Sequence, residues 1–413
     1  MKKVLVLSYS DNPAEGHALF HYKEIRAKGH EAYFVSLVSE FTHNTPAYFI
    51  DCHKKLSATY LSYKFKRRLR KLFSPVVKGT KEYCFFNQSN YYIGDTRKIL
   101  SKVPFIPEVI IIGWTDYFIS PKIIYELYRE THAKIVIPML DHHLLGGGCH
   151  YPCECNQYQT GCKKCPALQK KKIASNLYDE KIKYFQDIPL TIVGTAYDIK
   201  RAQKVPFLKN KEILSNIGTP NIPIIKSKSD AKKEFGIDDG DFVVMCGAYS
   251  IEDKRKGFSF LLEALHKFST NITERKVTLL LLGDGSIDVT AIDDKISIVS
   301  PGFLNLEKLF VAYYAADVFI SPSVDDSGPY MVNYSIACGT PVISFPIGIA
   351  LDLVKHLETG YLATFLDAAS IADGLREFYE MQPEQYDKIS KNCLNLMERL
   401  RKESEPWYMK VLE

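Results

Sequence analysis

The chain has 413 residues, of which 46% are hydrophobic and 24% are charged. This length predicts two domains of ordinary size, and this composition is typical of a globular protein. The net charge of +5 gives no ground for nucleic-acid binding, and no apolar run approaches the roughly 20 residues that span a bilayer. The basic start Met1-Lys2-Lys3 is followed by an apolar stretch at 4–7 only, which predicts a buried first strand rather than a signal peptide.

The first half of the chain alternates short apolar runs with helical stretches. The runs are candidate buried parallel strands at 4–7, 32–37, 109–112 and 135–139. The turn at 8–17 follows the first strand and leads into a helix that begins near His17 or Ala18. This alternation predicts a doubly wound α/β sheet.

A second alternating series begins after residue 223. Its strands are predicted at 242–245, 279–282, 296–299, 318–321 and 342–345. Helices are predicted at 259–268, 306–315 and 369–379. Two such series predict two Rossmann-like domains.

A strongly basic segment interrupts the first series. Residues 54–81 contain ten lysines and arginines and no acidic residue, and Leu61, Phe65, Leu69 and Leu72 recur there at helical spacing. A basic amphipathic helix of this kind can lie on anionic lipid. The alternative is an ordinary surface helix that packs its apolar side chains inward.

Five of the ten cysteines fall within a short stretch after the predicted strand 135–139. The chain shows no secretory signal, and this spacing favours a metal over disulfides. The preferred ligands of a structural zinc are Cys149, Cys155, Cys162 and Cys165, with Cys153 or His150 as substitutes. Disulfides or free thiols are the alternative.

The most informative segment is 321–344, SPSVDDSGPYMVNYSIACGTPVIS. An apolar strand runs into an acidic, glycine-containing loop, then into a small-residue helix, and then into a second strand. The free N–H groups and the positive dipole end at the start of such a helix suit a phosphate.

This segment resembles the nucleotide-sugar-binding signature of family 4 glycosyltransferases of the GT-B fold. It is most similar to the exopolysaccharide and capsule (colanic-acid-type) subgroup, whose first domain also carries a pattern like that of 141–166. The resemblance implies two Rossmann-like doubly wound domains that face each other across a cleft. It implies an acceptor-side domain at 1–218 with a Cys-rich insertion at 149–166, a donor domain at 219–391, and a crossover helix at 392–413 on the first domain.

The resemblance also implies a donor site in the second domain. Arg255 and Lys256 would bind the diphosphate, and the acid at Asp325, or Asp326 if the spacing is one residue shorter, would contact the transferred sugar. A tyrosine, Tyr334, stands where the family has the glutamate that binds the ribose, and Ala248 replaces the family's arginine. The remaining donor-binding candidates are Gly302, Phe303, Leu304, Gly328, Pro329, Tyr330, Met331 and Asn333.

For the acceptor, the resemblance points to the first domain. Asp141 is the second catalytic candidate, and the acceptor-binding candidates are Gly16, His17, His142 and Gly147. Retention of anomeric configuration is implied, with no metal or other cofactor needed for catalysis. The leaving diphosphate would itself help to remove the proton from the acceptor hydroxyl.

The sequence therefore predicts a retaining, nucleotide-diphosphate-sugar-dependent glycosyltransferase. Its partners would be the donor, a lipid-linked glycan acceptor of bacterial surface polysaccharide synthesis, and an anionic membrane surface bound through 54–81. The expected location is the cytoplasm or the inner face of the cell membrane. The alternatives are a nucleotide-sugar epimerase of the same fold and a non-catalytic nucleotide-sugar-binding protein.

Overall fold

The computed structural model describes residues 1–11, 18–40, 46–73, 94–115, 117–215, 217–220, 222, 227–270, 272–273, 275–285, 292, 294–328, 330–403 and 406–413. These residues divide into two compact units. The first comprises Met1–Gly194, Asp198–Asn216 and Pro406–Glu413, and the second comprises Thr195–Tyr197 and Ile217–Glu405.

The described part of the first unit forms a seven-stranded parallel sheet in the order β3-β2-β1-β4-β5-β6-β7. The strands are β1 Lys3–Ser10, β2 Glu31–Ser39, β3 Ala47–Asp51, β4 Val109–Ile112, β5 Lys134–Pro138, β6 Leu190–Gly194 and β7 Glu212–Ser215.

The second unit has a six-stranded parallel sheet among its described residues, in the order β10-β9-β8-β11-β12-β13. The strands are β8 Phe242–Ser250, β9 Val277–Asp284, β10 Ile296–Gly302, β11 Val318–Ser321, β12 Val342–Ser344 and β13 Gly360–Leu362.

Both sheets reverse their strand order once, between β1 and β4 and between β8 and β11. Ligands of open α/β sheets bind at such a reversal, beyond the carboxyl ends of the strands. The central strands carry almost continuous buried apolar runs, as parallel strands covered on both faces do. The predicted α/β class with two Rossmann-like sheets is confirmed.

Helices connect the strands. They are α1 Ala18–Ala27, α2 Ala58–Phe73, α3 Thr96–Leu100, α4 Pro121–Thr131, α5 Lys172–Phe185, α6 Ala196–Ala202, α7 Lys228–Glu234, α8 Phe258–Ser269, α9 Leu306–Ala315, α10 Tyr330–Ala337, α11 Ala350–Leu353, α12 Ala368–Tyr379, α13 Pro383–Glu403 and α14 Trp407–Leu412, with 3-10 turns at Gln157–Gln159 and Lys254–Lys256. Among the described residues, no helix has the length and apolar character needed to span a membrane.

The C-terminal stretch predicted as one crossover helix at 392–413 consists of parts of two helices. Helix α13 continues to Glu403 within the second unit, while α14 belongs to the first unit. Trp407 and Val411 of α14 are buried with Val4 and Val6 of β1. The break follows from Pro406, which precedes α14 and lacks the N–H that would continue a helix.

Candidate functional site

The acidic loop after β11 approaches the turn after β8, at the reversal of the second sheet. Arg255 and Lys256 lie in the 3-10 turn after β8, and both donate to Oδ2 of Asp326, at 2.9 Å from Nη1 and 2.6 Å from Nζ. Asp326 is 6% exposed. Burial alone would raise the pKa of this carboxyl, but Lys256 and Arg255 lower it below its usual value. Two cations therefore converge on one buried oxygen.

Arg255 also holds the loop through other contacts. Its Nη1 donates to the carbonyl oxygen of Asp325 at 3.0 Å, and its Nη2 lies 3.1 Å from Oδ2 of Asp253. The N–H of Val324 donates to the carbonyl of Arg255 at 2.9 Å. The guanidinium is thus fixed by side-chain and backbone acceptors together.

Gly257 allows the turn after β8 to lie close to the loop after β11. Its φ is +69°, and a Cβ at this position would lie 1.9 Å from the carbonyl oxygen of Pro322. A side chain here would push apart the 3-10 turn Lys254–Lys256, called the cation turn below, and the acidic loop after β11.

The two aspartates of the loop have different surroundings. Asp325 is fully buried, and its Oδ1 accepts a hydrogen bond from the hydroxyl of Tyr197 at 3.3 Å. Asp326, one residue further, pairs with the cations. The sequence placed the sugar-contacting acid on Asp325, with Asp326 as the alternative. In the structure Asp326 adjoins the predicted phosphate-binding residues through its side chain.

Helix α10 begins just beyond the loop. Its Asn333 is 2% exposed, and Nδ2 donates to the carbonyl of Gly218 at 2.6 Å. Tyr334 packs against Tyr330 and Phe310, with ring centroids 5.0 and 5.3 Å away. Burial, with a smaller effect of Tyr330, raises the pKa of Tyr334 to about 12. Tyr334 therefore lies in an aromatic cluster as a neutral phenol.

The other donor candidates lie around the same carboxyl edge. The carbonyl of Met331 accepts from the hydroxyl of Tyr313 at 2.9 Å, and Gly328 lies beside Thr195. Gly302 ends β10, Phe303 is 60% exposed directly after it, and Leu304 is half-buried.

A second polar cluster follows β5 in the first unit. Oδ1 and Oδ2 of Asp141 each lie 2.5 Å from an Nδ1 atom, that of His143 and that of His150 respectively. The N–H of His143 also donates to Oδ1. Burial would raise the pKa of Asp141, but the two imidazoles hold it well below the usual value. One buried carboxylate thus orients two histidines.

His142 points into the interior instead. It is 1% exposed, its Nε2 lies 2.8 Å from Oδ1 of Asp198, and its Nδ1 lies 3.1 Å from Nη1 of Arg201. Since arginine only donates, Nδ1 is the acceptor and Nε2–H donates to Asp198. Both ring nitrogens are therefore engaged within the first unit. The side chain of the neighbouring His143, in contrast, is 25% exposed.

Gly147 is buried against helix α5. A Cβ there would lie 2.0 Å from the carbonyl oxygen of Ala174, and the Gly147 N–H donates to Sγ of Cys162 at 3.2 Å. The buried Nζ of Lys181 donates to the carbonyls of Gly146 and His143, and burial lowers its pKa to about 8. The glycine turn is thus fixed by packing and by carbonyl contacts.

One protein family matches the part of the chain that contains the second sheet. Residues 240–381 match the sequence profile of the family described as "Glycosyl transferases group 1". The match spans strands β8 to β13 of the second unit.

Two curated relatives are similar over a limited length. The chain is 25% identical to an uncharacterized glycosyltransferase of Methanocaldococcus jannaschii over 158 residues and 25% identical to the N-acetyl-alpha-D-glucosaminyl L-malate synthase of Bacillus anthracis over 156 residues. Each match covers 36% of this chain and 39% of the relative.

Solved structures share the fold over almost the whole chain. The sucrose-phosphate synthase of Thermosynechococcus elongatus has a TM-score of 0.62 at 15% identity, covering 100% of this chain and 97% of that one. Anabaena HepE, solved in complex with UDP and glucose, has a TM-score of 0.60 at 14% identity, covering 97% and 95%. The predicted GT-B fold is confirmed by this likeness.

The described residues give the zinc prediction no support. Over the described residues, no group of three or more His, Cys, Asp or Glu side chains is arranged to hold a metal ion. Burial raises the pKa of Cys162 to about 11 and also raises the pKa of Cys149 and Cys155. The described cysteines, Cys153 and Cys165 among them, form no disulfide.

Some predicted residues lie outside the described part of the chain. These are Gly16 and His17 of the predicted acceptor site, Pro329 of the predicted donor site, and 74–81 of the basic segment.

We expect Asp141→Asn to destabilise the first unit by about 3 kcal/mol, because it removes a buried acceptor of two imidazole N–H groups. The depressed folded-state pKa means that the stabilisation is present at neutral pH and is lost as the pH falls below the usual aspartate value of 3.8. Urea unfolding at several pH values measures the difference from the unmodified chain. Asp373→Asn is the matched control, since its partner Arg376 is on the surface; an equal loss in both variants would contradict the prediction.

We expect Gly257→Ala to lower the unfolding midpoint more than Gly236→Ala does. Both glycines have φ near +68°, at +69° and +67°, so both substitutions carry the same backbone strain. Only Gly257 would place a Cβ against backbone, whereas Gly236 has nothing within 4 Å. Thermal unfolding monitored by circular dichroism compares the two, and equal midpoints would show that the close approach to Pro322 does not matter.

Proposed function

We propose that this chain is a retaining glycosyltransferase that moves a sugar from a nucleotide-diphosphate sugar to a glycan acceptor. The observation that carries the proposal is the convergence of Arg255 and Lys256 at the reversal of the second sheet. Two cations at this place suit a diphosphate. The family match over 240–381 and the likeness to HepE, which was solved with UDP, support a nucleotide-sugar donor.

The diphosphate would lie between the cation turn and the start of helix α10. The backbone N–H groups of Gly328 and of Tyr330 to Val332 would add the positive end of the helix dipole to the charges of Arg255 and Lys256. These groups would stabilise the negative charge that develops on the leaving diphosphate, with no metal ion required. The acidic loop would orient the transferred sugar through Asp325 or Asp326.

Asp326 gives this site a specific electrostatic character. It occupies the same two cations that the diphosphate would need. Donor binding would therefore redirect Arg255 and Lys256 from the carboxylate to the phosphates, or share them. The acceptor hydroxyl would then attack from the face that the diphosphate leaves, and a phosphate oxygen would take its proton.

The acceptor is proposed to be a lipid-linked glycan of bacterial surface polysaccharide synthesis. Helix α2 supports binding of the chain to a membrane surface. Its Leu61 and Phe65 are 51% and 63% exposed, and Lys64, Lys66 and Arg68 lie beside them in the sequence. Exposed apolar and cationic side chains on one amphipathic helix suit the surface of an anionic bilayer. In the first unit, Asp141 would act through the imidazoles that it orients.

We expect Arg255→Ala and Lys256→Ala each to weaken the binding of UDP or GDP by about tenfold or more, the loss that accompanies removal of one charge-assisted hydrogen bond to phosphate. Isothermal titration calorimetry measures the affinity. Lys254→Ala is the matched control, because Lys254 is the exposed residue of the same cation triplet. Unchanged affinity in both Arg255 and Lys256 variants would overturn the proposed diphosphate site.

The second experiment tests turnover. A labelled sugar from a panel of nucleotide sugars should be transferred to a glycan acceptor. Release of an epimerised sugar without acceptor would instead indicate the epimerase alternative, and nucleotide binding without any turnover would indicate a binding protein.

We expect the full chain to bind vesicles that contain anionic lipid and to be released by salt, because the cations of α2 are exposed. Charge reversal by Lys66→Glu with Arg68→Glu should reduce the bound fraction in a sedimentation assay. Lys388→Glu with Lys391→Glu, on the exposed face of α13, is the matched control. Equal partitioning of the chain to neutral and anionic vesicles would refute the proposed binding to anionic membranes.

A further inference from the structure

A lysine-rich surface covers part of the cysteine-rich insertion of the first unit and the start of helix α5. Its five exposed side chains, called the lysine patch below, are Lys163, Lys164, Lys170, Lys171 and Lys172. No acidic residue occurs between Glu154 and Asp179. Within the described part of the chain, no ion pair joins any of these lysines to a carboxylate. The patch therefore presents positive charge that the protein itself does not neutralise.

The packing of the insertion explains why the first two lysines are exposed. They lie in the segment Cys162-Lys163-Lys164-Cys165, in which both cysteines are buried, at 8% and 3% exposure. The two cysteines line a small cavity together with Ala174 of α5. Buried free cysteines pack as small apolar side chains. They hold the turn against α5 and leave its lysines on the surface.

The two groups of lysines lie around the same part of α5. A Cβ built on Gly161 would lie 3.8 Å from Cε of Lys163 and 3.9 Å from Cδ1 of Tyr178, so the stem of Lys163 runs beside the second turn of the helix. The N–H of Ile173 donates to the carbonyl of Lys170 at 3.0 Å, at the beginning of the same helix. The lysines of the turn therefore lie beside the helical turns that the other three lysines begin.

This accumulation of lysines is electrostatically unfavourable. Like charges repel one another, and cations at the start of a helix also add to the positive end of its dipole. Helix α5 has no acidic residue in its first turn to offset either effect. A bound anion would offset both, so the charge of the patch favours an anionic ligand.

The surroundings of the patch favour a glycan over a membrane. Large apolar side chains, which insert into a bilayer, are exposed on α2, but none is exposed between residues 141 and 185. Instead, the 3-10 turn Gln157–Gln159 places amide side chains beside the lysines, and Oε1 of Gln157 accepts from the N–H of Lys164 at 3.2 Å. Amides donate and accept hydrogen bonds, as hydroxyls do. Cations for carboxylates and amides for hydroxyls together match an anionic polysaccharide.

We propose that the lysine patch binds an anionic glycan, and that the acceptor of this chain is such a glycan. This inference rests on the proposed glycosyltransferase function and deepens it by assigning the chemical class of the acceptor. Electrostatic attraction to the patch raises the rate at which a polyanion meets the protein, and salt weakens it. The patch is a binding surface and takes no part in the chemistry of transfer.

Isothermal titration calorimetry on the full chain tests the assignment with two probes. Oligogalacturonate carries a carboxylate on every sugar, and maltooligosaccharide of the same length carries none. We expect only oligogalacturonate to bind, with an affinity that falls as NaCl is added. Lys163→Glu with Lys171→Glu should weaken this binding about tenfold or more, because the reversed charges repel the carboxylates.

Lys23→Glu with Lys28→Glu is the matched control and should leave the affinity unchanged. It makes the same change in net charge at two exposed lysines on and directly after α1. Helix α1 packs on the face of the first sheet opposite to the face that α5 covers. Glutamate is favourable at the start of a helix, so the substitution at Lys171 does not by itself unfold α5. Thermal unfolding of each variant confirms that the fold is intact.

The outcomes separate the lysine patch from the proposed function. If both double variants lose the same affinity, or if the unmodified chain does not bind oligogalacturonate, the patch is not a glycan site. If Lys163→Glu with Lys171→Glu keeps the glycan affinity but releases the chain from phosphatidylglycerol vesicles, the patch contacts membranes and the proposal is wrong. In either case, UDP binding and sugar turnover by the unmodified chain would leave the glycosyltransferase function standing. Patch-dependent oligogalacturonate binding without any nucleotide binding would instead support the glycan site and overturn the proposed transferase.

Discussion

The second unit depends on one buried carboxylate oxygen, Oδ2 of Asp326, that two cations share. Removing a carboxylate and two cations from water is costly, and the contact is stable only because each charge is paired and Arg255 has further acceptors. The contact ties the turn after β8 to the loop after β11, so it joins the two strands at which the sheet order reverses. The position of Arg255 and Lys256 is therefore fixed before any ligand arrives.

In the proposed donor site, the ion pairs of Asp326 would limit the affinity for phosphate. A diphosphate brings negative charge to cations that a carboxylate already neutralises, so the gain from the new ion pairs is offset by the loss of the old ones. The net affinity from phosphate alone is then smaller than two free cations would give. Contacts elsewhere on a bound nucleotide sugar would then contribute a correspondingly larger share of the affinity.

The sequence predicted the central architecture because buried parallel strands are apolar throughout, as in β4 and β11. It missed the edge strands β3, β7 and β13, which are short and only partly buried, so their pattern differs little from that of a loop. It also missed β6, although that strand is fully buried, because a short apolar run does not by itself distinguish a strand from a helix segment.

For the candidate site, the sequence predicted which loops contain the charged side chains but not which of these side chains bind each other. The charge and spacing of Arg255 and Lys256 identified them as candidates. The spacing does not show that both pair with Asp326 and not with Asp325. Similarly, three histidines follow Asp141 within ten residues, and only the backbone path turns His142 inward to Asp198 and sets His143 and His150 on the carboxylate. Composition specifies the charges that a loop can offer, whereas burial decides which of them are already paired. The sequence therefore cannot show which charged groups of a loop remain available to a ligand, because packing decides this.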